Sequence, residues 1–175
     1  MATAVLLPKL TDWVQNHITA IIEAKTTHDL HDAVNRFLNQ HAMITVNGAH
    51  ISRAEFVKQL KAENFAEEKA TITFNDSIEV PDSREGESIT AGTVGVFYTA
   101  IITSAHLIHG IPTSKQVIAS LNVVVAPDPS VHKPPMPNGY YDPRRVTSLN
   151  EVRVERPLKL TPSGTSAPAT AEACC

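Results

Sequence analysis

The chain has 175 residues and a mass of 19.0 kDa, enough for one ordinary domain and too little for a multidomain machine. Hydrophobic residues make up 42% and charged residues 19%, which permits a packed core and excludes wholesale disorder. The formal net charge is -3, and the first 126 residues carry 13 acidic side chains against 9 basic ones, a poor match for phosphate backbones, so no nucleic-acid partner is expected. Nine of the 12 prolines fall in the last 49 residues. That asymmetry predicts a folded α+β domain over residues 1–126 and a proline-rich extended tail over 127–175, largely disordered or wrapped on the domain. Met1 to Leu10 lacks a basic leader, and no stretch reaches the roughly 18 apolar residues of a membrane span, so the expected location is cytoplasmic.

Leu7, Leu10, Val14, Ile18 and Ile21 recur at spacings of three and four and predict an amphipathic helix from Val5 to about Lys25. Thr26, with Asp29 three residues on, offers a cap for a second helix over 27–39 whose stripe is Leu30, Val34, Phe37 and Leu38. Met43, Ile44 and Val46 lead into Asn47-Gly48, the two-residue signature of a type I′ hairpin, which requires positive φ at both positions. Ser52 and Glu55 then form a capping box for a third helix carrying Phe56, Val57 and Leu60. From Thr71 to Val80 the period changes to two, with Ile72, Phe74, Ile78 and Val80 assigned to one face of a strand. A charged turn separates this strand from a β-favouring run over 89–103, and Val117, Ala119, Leu121, Val123 and Val125 mark one face of a last strand over 115–126. Further on, Arg145 to Leu160 alternates Val152 and Val154 with charged residues. This stretch reads as solvated tail, as a strand added at the sheet edge or as a partner-binding motif.

Helices gathered ahead of long antiparallel strands indicate an α+β domain with helices covering one face of a curved sheet. The order resembles the nuclear-transport-factor-two-like superfamily, which includes SnoaL-like cyclases, ketosteroid isomerase and scytalone dehydratase. The local support is the run from Phe37 to Leu60: FLNQHA at a helix end, ITVNG, AHIS, then EFVKQL. The resemblance covers residues 5–126. It implies a cone-shaped curved antiparallel sheet covered by three N-terminal helices, a pocket for a small apolar molecule, and homodimers through the sheet. Implied too are either a cofactor-free lyase or isomerase in that pocket, or a noncatalytic binding or protein-interaction module.

Asp76 sits at an even position between Phe74 and Ile78, where strict alternation turns it to the apolar side. A carboxylate there must be paired, hydrogen-bonded or neutralised, and such a group can act as a general base or acid. The competing reading is a bulge after Asn75 that turns Asp76 to solvent, since Asn-Asp-Ser is turn-like. Tyr98 shares a strand face with Val94, Val96, Ala100 and Ile102, and is either a hydrogen-bond donor to a substrate or a core ring. Of eight histidines, His41 prolongs the stripe of the second helix and His17 flanks Trp13, so Asp76, Tyr98 and His41 form the catalytic candidates and Trp13, His17 and Asn122 the ligand-binding ones. Asn122 faces a ligand if its side of the last strand is concave, and a dimer surface if it is convex.

No histidine pair has zinc-motif spacing and no nucleotide fingerprint is present, so neither metal nor cofactor is expected. The only cysteines, Cys174 and Cys175, resemble the doubly prenylated end of Rab-type small GTPases. Membrane attachment is expected only if they are lipidated, and the chain lacks the phosphate-binding loop of those GTPases.

Overall fold

The computed structural model describes residues 7–64, 67–82, 90–108, 111–132 and 141–158. Helices α1 (Leu10–Ile22), α2 (Thr27–Phe37) and α3 (Arg53–Asn64) pack on one face of a six-stranded curved sheet. Its strands are β1 (Leu38–Val46), β2 (Ala49–Ile51), β3 (Glu67–Pro81), β4 (Gly92–Ile108), β5 (Ile111–Pro127) and β6 (Arg144–Leu158), in the spatial order β2-β1-β6-β5-β4-β3. Among the described residues, no helix is long and apolar enough to cross a membrane.

The local signals act as their chemistry requires. The Thr26 hydroxyl accepts the Asp29 backbone N–H at 3.0 Å and donates to the Asp29 carboxylate at 2.7 Å, which starts α2. Asn47 and Gly48 both have positive φ, 50° and 81°, closing the β1–β2 hairpin. The Ser52 hydroxyl accepts the Glu55 N–H at 3.1 Å at the start of α3. The stripe Leu10, Val14, Ile18 and Ile21 is buried, and the inner faces of β4 and β5 are the two rows predicted, Val94 to Ile102 and Val117 to Val125 at every second residue.

Three expectations need correction. First, α2 ends at Phe37 and the chain passes directly into β1, so His41 lies on an exposed part of a strand and extends no helical stripe. Second, residues 144–158 belong to the sheet. β6 pairs antiparallel with β5 from Ser114 to Pro127 and parallel with β1 from Leu38 to Val46, which makes the sheet mixed where an antiparallel one was expected. Without β6 the β1–β2 hairpin would have no ladder to β5, so a boundary at residue 126 cuts through the fold. The valines misled because Val152 and Val154 face outward, while Leu149 and Glu151 are buried on the inner face.

Third, β3 carries a bulge. Phe74 pairs with Tyr98 but Asp76 pairs with Phe97, leaving Asn75 as the extra residue, its side chain donating to the Thr99 hydroxyl at 2.9 Å. Ile72 and Phe74 therefore face the core, whereas Ile78 and Val80 face solvent, 70% and 61% exposed. Glu79 turns inward instead. Its carboxylate accepts both the backbone N–H and the hydroxyl of Thr11, at 2.8 and 2.7 Å, supplying the first turn of α1 with the acceptor that Lys9 does not provide. At the β4 start, Gly92 has φ of 154°, and a Cβ there would meet the Val80 carbonyl oxygen at 2.5 Å.

Candidate functional site

The inner face of β4 to β6 and the helices enclose a cavity of about 50 Å³ lined mainly by aliphatic and aromatic side chains, among them Ile18, Phe37, Phe56, Leu60 and Leu121. Its polar edge is made by Tyr98, Glu151 and Arg153. Alternation on β4 points Tyr98 inward, and the register that sets Leu121 against Glu151 brings the β6 carboxylate to the same wall. The Tyr98 hydroxyl donates to Glu151 Oε1 at 2.8 Å, and Arg153 Nη1 lies 3.9 Å from Glu151 Oε2. Arg153 also donates to the Gln59 side-chain oxygen at 3.4 Å and, through its backbone N–H, to Asn47 Oδ1 at 2.8 Å. Burial pushes the Glu151 carboxyl above its ordinary range, opposed by the Arg153 charge and the Tyr98 hydrogen bond. A buried carboxyl with a phenol donor, an arrangement sought at Asp76, is thus built by Glu151 and Tyr98.

Of the expected site residues only Tyr98 lines this cavity. Asp76 is exposed on the outer face, where its Oδ1 accepts the Ser77 N–H at 2.8 Å, because the bulge at Asn75 reverses the facing. His41 is exposed on β1, and Asn122 is exposed on the outer face of β5, paired with Gly95 on one side and Asn150 on the other. Trp13 and His17 lie outside the cavity: Trp13 is buried against Phe37 at 5.7 Å between centroids, and His17 packs edge-on to Trp13 at 4.5 Å and stacks on Phe37 at 5.6 Å. Among the described residues no group of three or more His, Cys, Asp or Glu side chains is placed to hold a metal ion. Cys174 and Cys175 lie outside the described residues.

Two residues escaped the sequence reading. Glu151 and Arg144 both belong to the segment assigned to the tail. Arg144 is fully buried: it holds Asp142 in a two-pronged pair at 2.8 and 2.7 Å, donates to the Pro8 carbonyl at 2.7 Å and lies 5.3 Å from the Trp13 ring centroid.

The outer face of the sheet is the other prominent surface. Ladder register places Val152, Ser120, Phe97 and Asp76 in one row across β6 to β3, with Asn150, Asn122, Gly95 and Ile78 in the next and Ser148, Val124, Thr93 and Val80 beyond it. Ile78, Val80, Phe97, Val124 and Val152 are all exposed there, and the only charge in these three rows is Asp76.

No family model matches the chain, and no curated protein matches it. Solved structures do. Mtr2 of Candida albicans superposes with a TM-score of 0.52 at 12% identity, covering 86% of this chain and 96% of that one. The C. albicans Mtr2–Mex67 M domain complex gives 0.51 at 13% identity, with 86% and 96% covered. An NTF-2 like protein of unknown function from Pseudomonas aeruginosa aligns over 82% of this chain and 97% of its own, at 11% identity and a TM-score of 0.48. At such identities a likeness speaks to fold alone. The element order, the curved sheet closed over three helices and the superpositions above 0.5 lead to one conclusion: the chain has the nuclear-transport-factor-two-like fold.

Proposed function

We propose that the chain is a protein-interaction module that pairs with a second copy of itself through the outer face of its sheet. The observation that carries this reading is the set of exposed apolar side chains, Ile78, Val80, Phe97, Val124 and Val152, spread over three ladder rows of four adjacent strands. Several large apolar side chains exposed on one face of a rigid sheet are costly to leave in water and mark an interaction surface. Its near-neutrality favours a second copy as occupant: an isologous contact sets each side chain against the same surface, and with one charge in three rows self-pairing meets little like-charge repulsion. The cone supports this reading by its size, since about 50 Å³ admits a few waters, whereas pockets for small organic ligands run to roughly 300–1,000 Å³. A protein partner also agrees with the C. albicans complex, in which Mtr2 is bound to the Mex67 M domain.

Sedimentation velocity at tens of micromolar tests the proposal. A species of twice 19.0 kDa is expected for the native chain, and the single-chain mass for a Phe97→Arg, Val152→Arg double variant of unchanged circular dichroism. A monomeric native chain would sink the self-pairing reading.

The Glu151–Tyr98 pair supports a second reading, in which an apolar carbonyl compound enters a widened cone and meets the carboxyl as proton donor. Its sign would be methyl resonance shifts of Ile18 and Leu60 on titration with such a compound. Shifts confined to surface residues would remove it.

A further inference from the structure

A concavity roomier than the cone lies away from both it and the outer sheet face. Between α1, the end of α2 and the residues flanking β6 runs a groove of about 450 Å³, within the range of metabolite-sized pockets. Trp13, Val131 and Tyr141 contribute apolar and aromatic wall, and Asn16, His17, Arg36 and Arg145 bring polar groups to it. The Tyr141 hydroxyl is tied down on the Val131 carbonyl at 3.2 Å, so the ring stands in a set position.

The charges at this groove are unevenly satisfied. Asp142, its one lining carboxylate, is held by the two-pronged contact with the buried Arg144 behind it. The Arg145 side chain uses Nη1 on the Asp142 and Arg144 carbonyls at 3.3 and 2.6 Å and makes no other hydrogen bond with a described residue; burial lowers its pKa, opposed by the Asp128 and Asp142 charges. Asp128 itself accepts from the Asn39 side chain and the Ser130 N–H. The Arg36 side chain makes no hydrogen bond or ion pair with any described residue, and the nearby Asp32 is paired with His28 at 3.7 Å. Arg36 and Arg145 lie close enough for each charge to act on the other. Two guanidiniums thus face a half-enclosed space without a bound carboxylate between them, beside an imidazole that burial and the neighbouring arginines keep neutral, its pKa lowered to about 4. Such an arrangement is stabilised by an anion, because guanidinium forks match a carboxylate and two cationic groups side by side repel each other without one.

We propose that this groove binds a small organic carboxylate with a flat apolar body, its carboxylate between Arg36 and Arg145 and its body against Trp13 and Tyr141. The apolar wall selects against simple inorganic anions, which would leave it in water. The neutral His17 adds a hydrogen-bonding nitrogen without adding charge, consistent with a monoanion.

The chain has a single tryptophan, Trp13, so its emission reports on the groove directly. Phenylacetate serves as probe and phenylacetamide, the same body without the charge, as its control. Saturable change in Trp13 emission is expected with phenylacetate at a dissociation constant of about 1 mM or below, and binding about tenfold or more weaker for the amide. Arg36→Gln, a change at an exposed side chain, should weaken phenylacetate about tenfold and leave the amide unaffected. Equal affinity for acid and amide, insensitivity to Arg36→Gln, or no saturable response to phenylacetate would each overturn the proposal. Inorganic phosphate binding as tightly as phenylacetate would overturn the role of the apolar wall and with it the ligand class.

Discussion

Glu151 shows how one buried carboxylate depends on the atoms that reach it. The Tyr98 hydroxyl donates to it at 2.8 Å, with Arg153 Nη1 at 3.9 Å. Tyr98→Phe removes that donor while keeping the ring, and a loss of about 1–3 kcal/mol is expected in urea denaturation, because a buried acceptor is left unmade. Glu151→Gln keeps an acceptor for Tyr98 and drops the desolvated acid, so this variant should match the native chain within about 1 kcal/mol or exceed it. Equal losses in the two variants would mean that shape, and not polar satisfaction, governs this wall. Arg144 obeys the same logic under greater constraint: a fully buried guanidinium survives because Asp142, the Pro8 carbonyl and the Trp13 face together replace its water.

The bulge in β3 is where one inserted residue reassigns the chemistry of a strand. By spending Asn75 outside the ladder, β3 exchanges Ile78 for Glu79 on the inner face and places a carboxylate at the first turn of α1. Glu79→Ala should therefore cost about 1 kcal/mol in thermal or urea unfolding, the usual worth of a helix cap, and Glu79→Gln less, since its amide oxygen still accepts from Thr11. No loss in Glu79→Ala would show that water caps α1 equally well. Helices, the hairpin turn and the inner rows of β4 and β5 could be read from the sequence because each rests on local periodicity or on a cap within four residues. The facing of Asp76 could not, since Asn-Asp-Ser fits strand and bulge alike and the choice is made by pairing with Phe97, 21 residues away. The stretch that forms β6 stayed open between tail, edge strand and partner motif for a related reason: alternation reveals two faces but not which one is buried, and here valines line the outer face while Glu151 and Arg153 line the cavity. The acid of the cavity was accordingly sought on the wrong strand.

For the molecule as a whole, two groups pull the acid stability profile in opposite directions. His17 has its folded pKa depressed to about 4 from 6.5, so the unfolded chain binds more protons between these values and stability rises with pH across that window. Glu151 has its folded pKa raised above 4.5, so its contribution is complete below that value and is lost as pH climbs through the folded pKa. The two terms offset each other over the stretch above pH 4.5. Replacing His17 by Phe, which keeps a ring between Trp13 and Phe37, should remove the rising component, leaving a melting temperature that is flat or falls as pH increases from 4.5 to 6.5. Glu151→Gln should make the native rise steeper. Parallel profiles for all three proteins would exclude both groups as the source of the pH dependence. Neither residue lies on the outer face of the sheet.

The central position of β6 also bears on how the chain comes to be folded. Synthesis delivers β1 to β5 first, yet the sheet cannot close until residues 144–158 have left the ribosome and threaded between β1 and β5. Until then a nascent chain exposes two unpaired backbone edges, each able to pair with another molecule. The charged positions Arg145, Glu151, Arg153, Glu155 and Arg156 then suit a late-arriving strand, which remains soluble on its own and acquires its partners only when the waiting gap receives it.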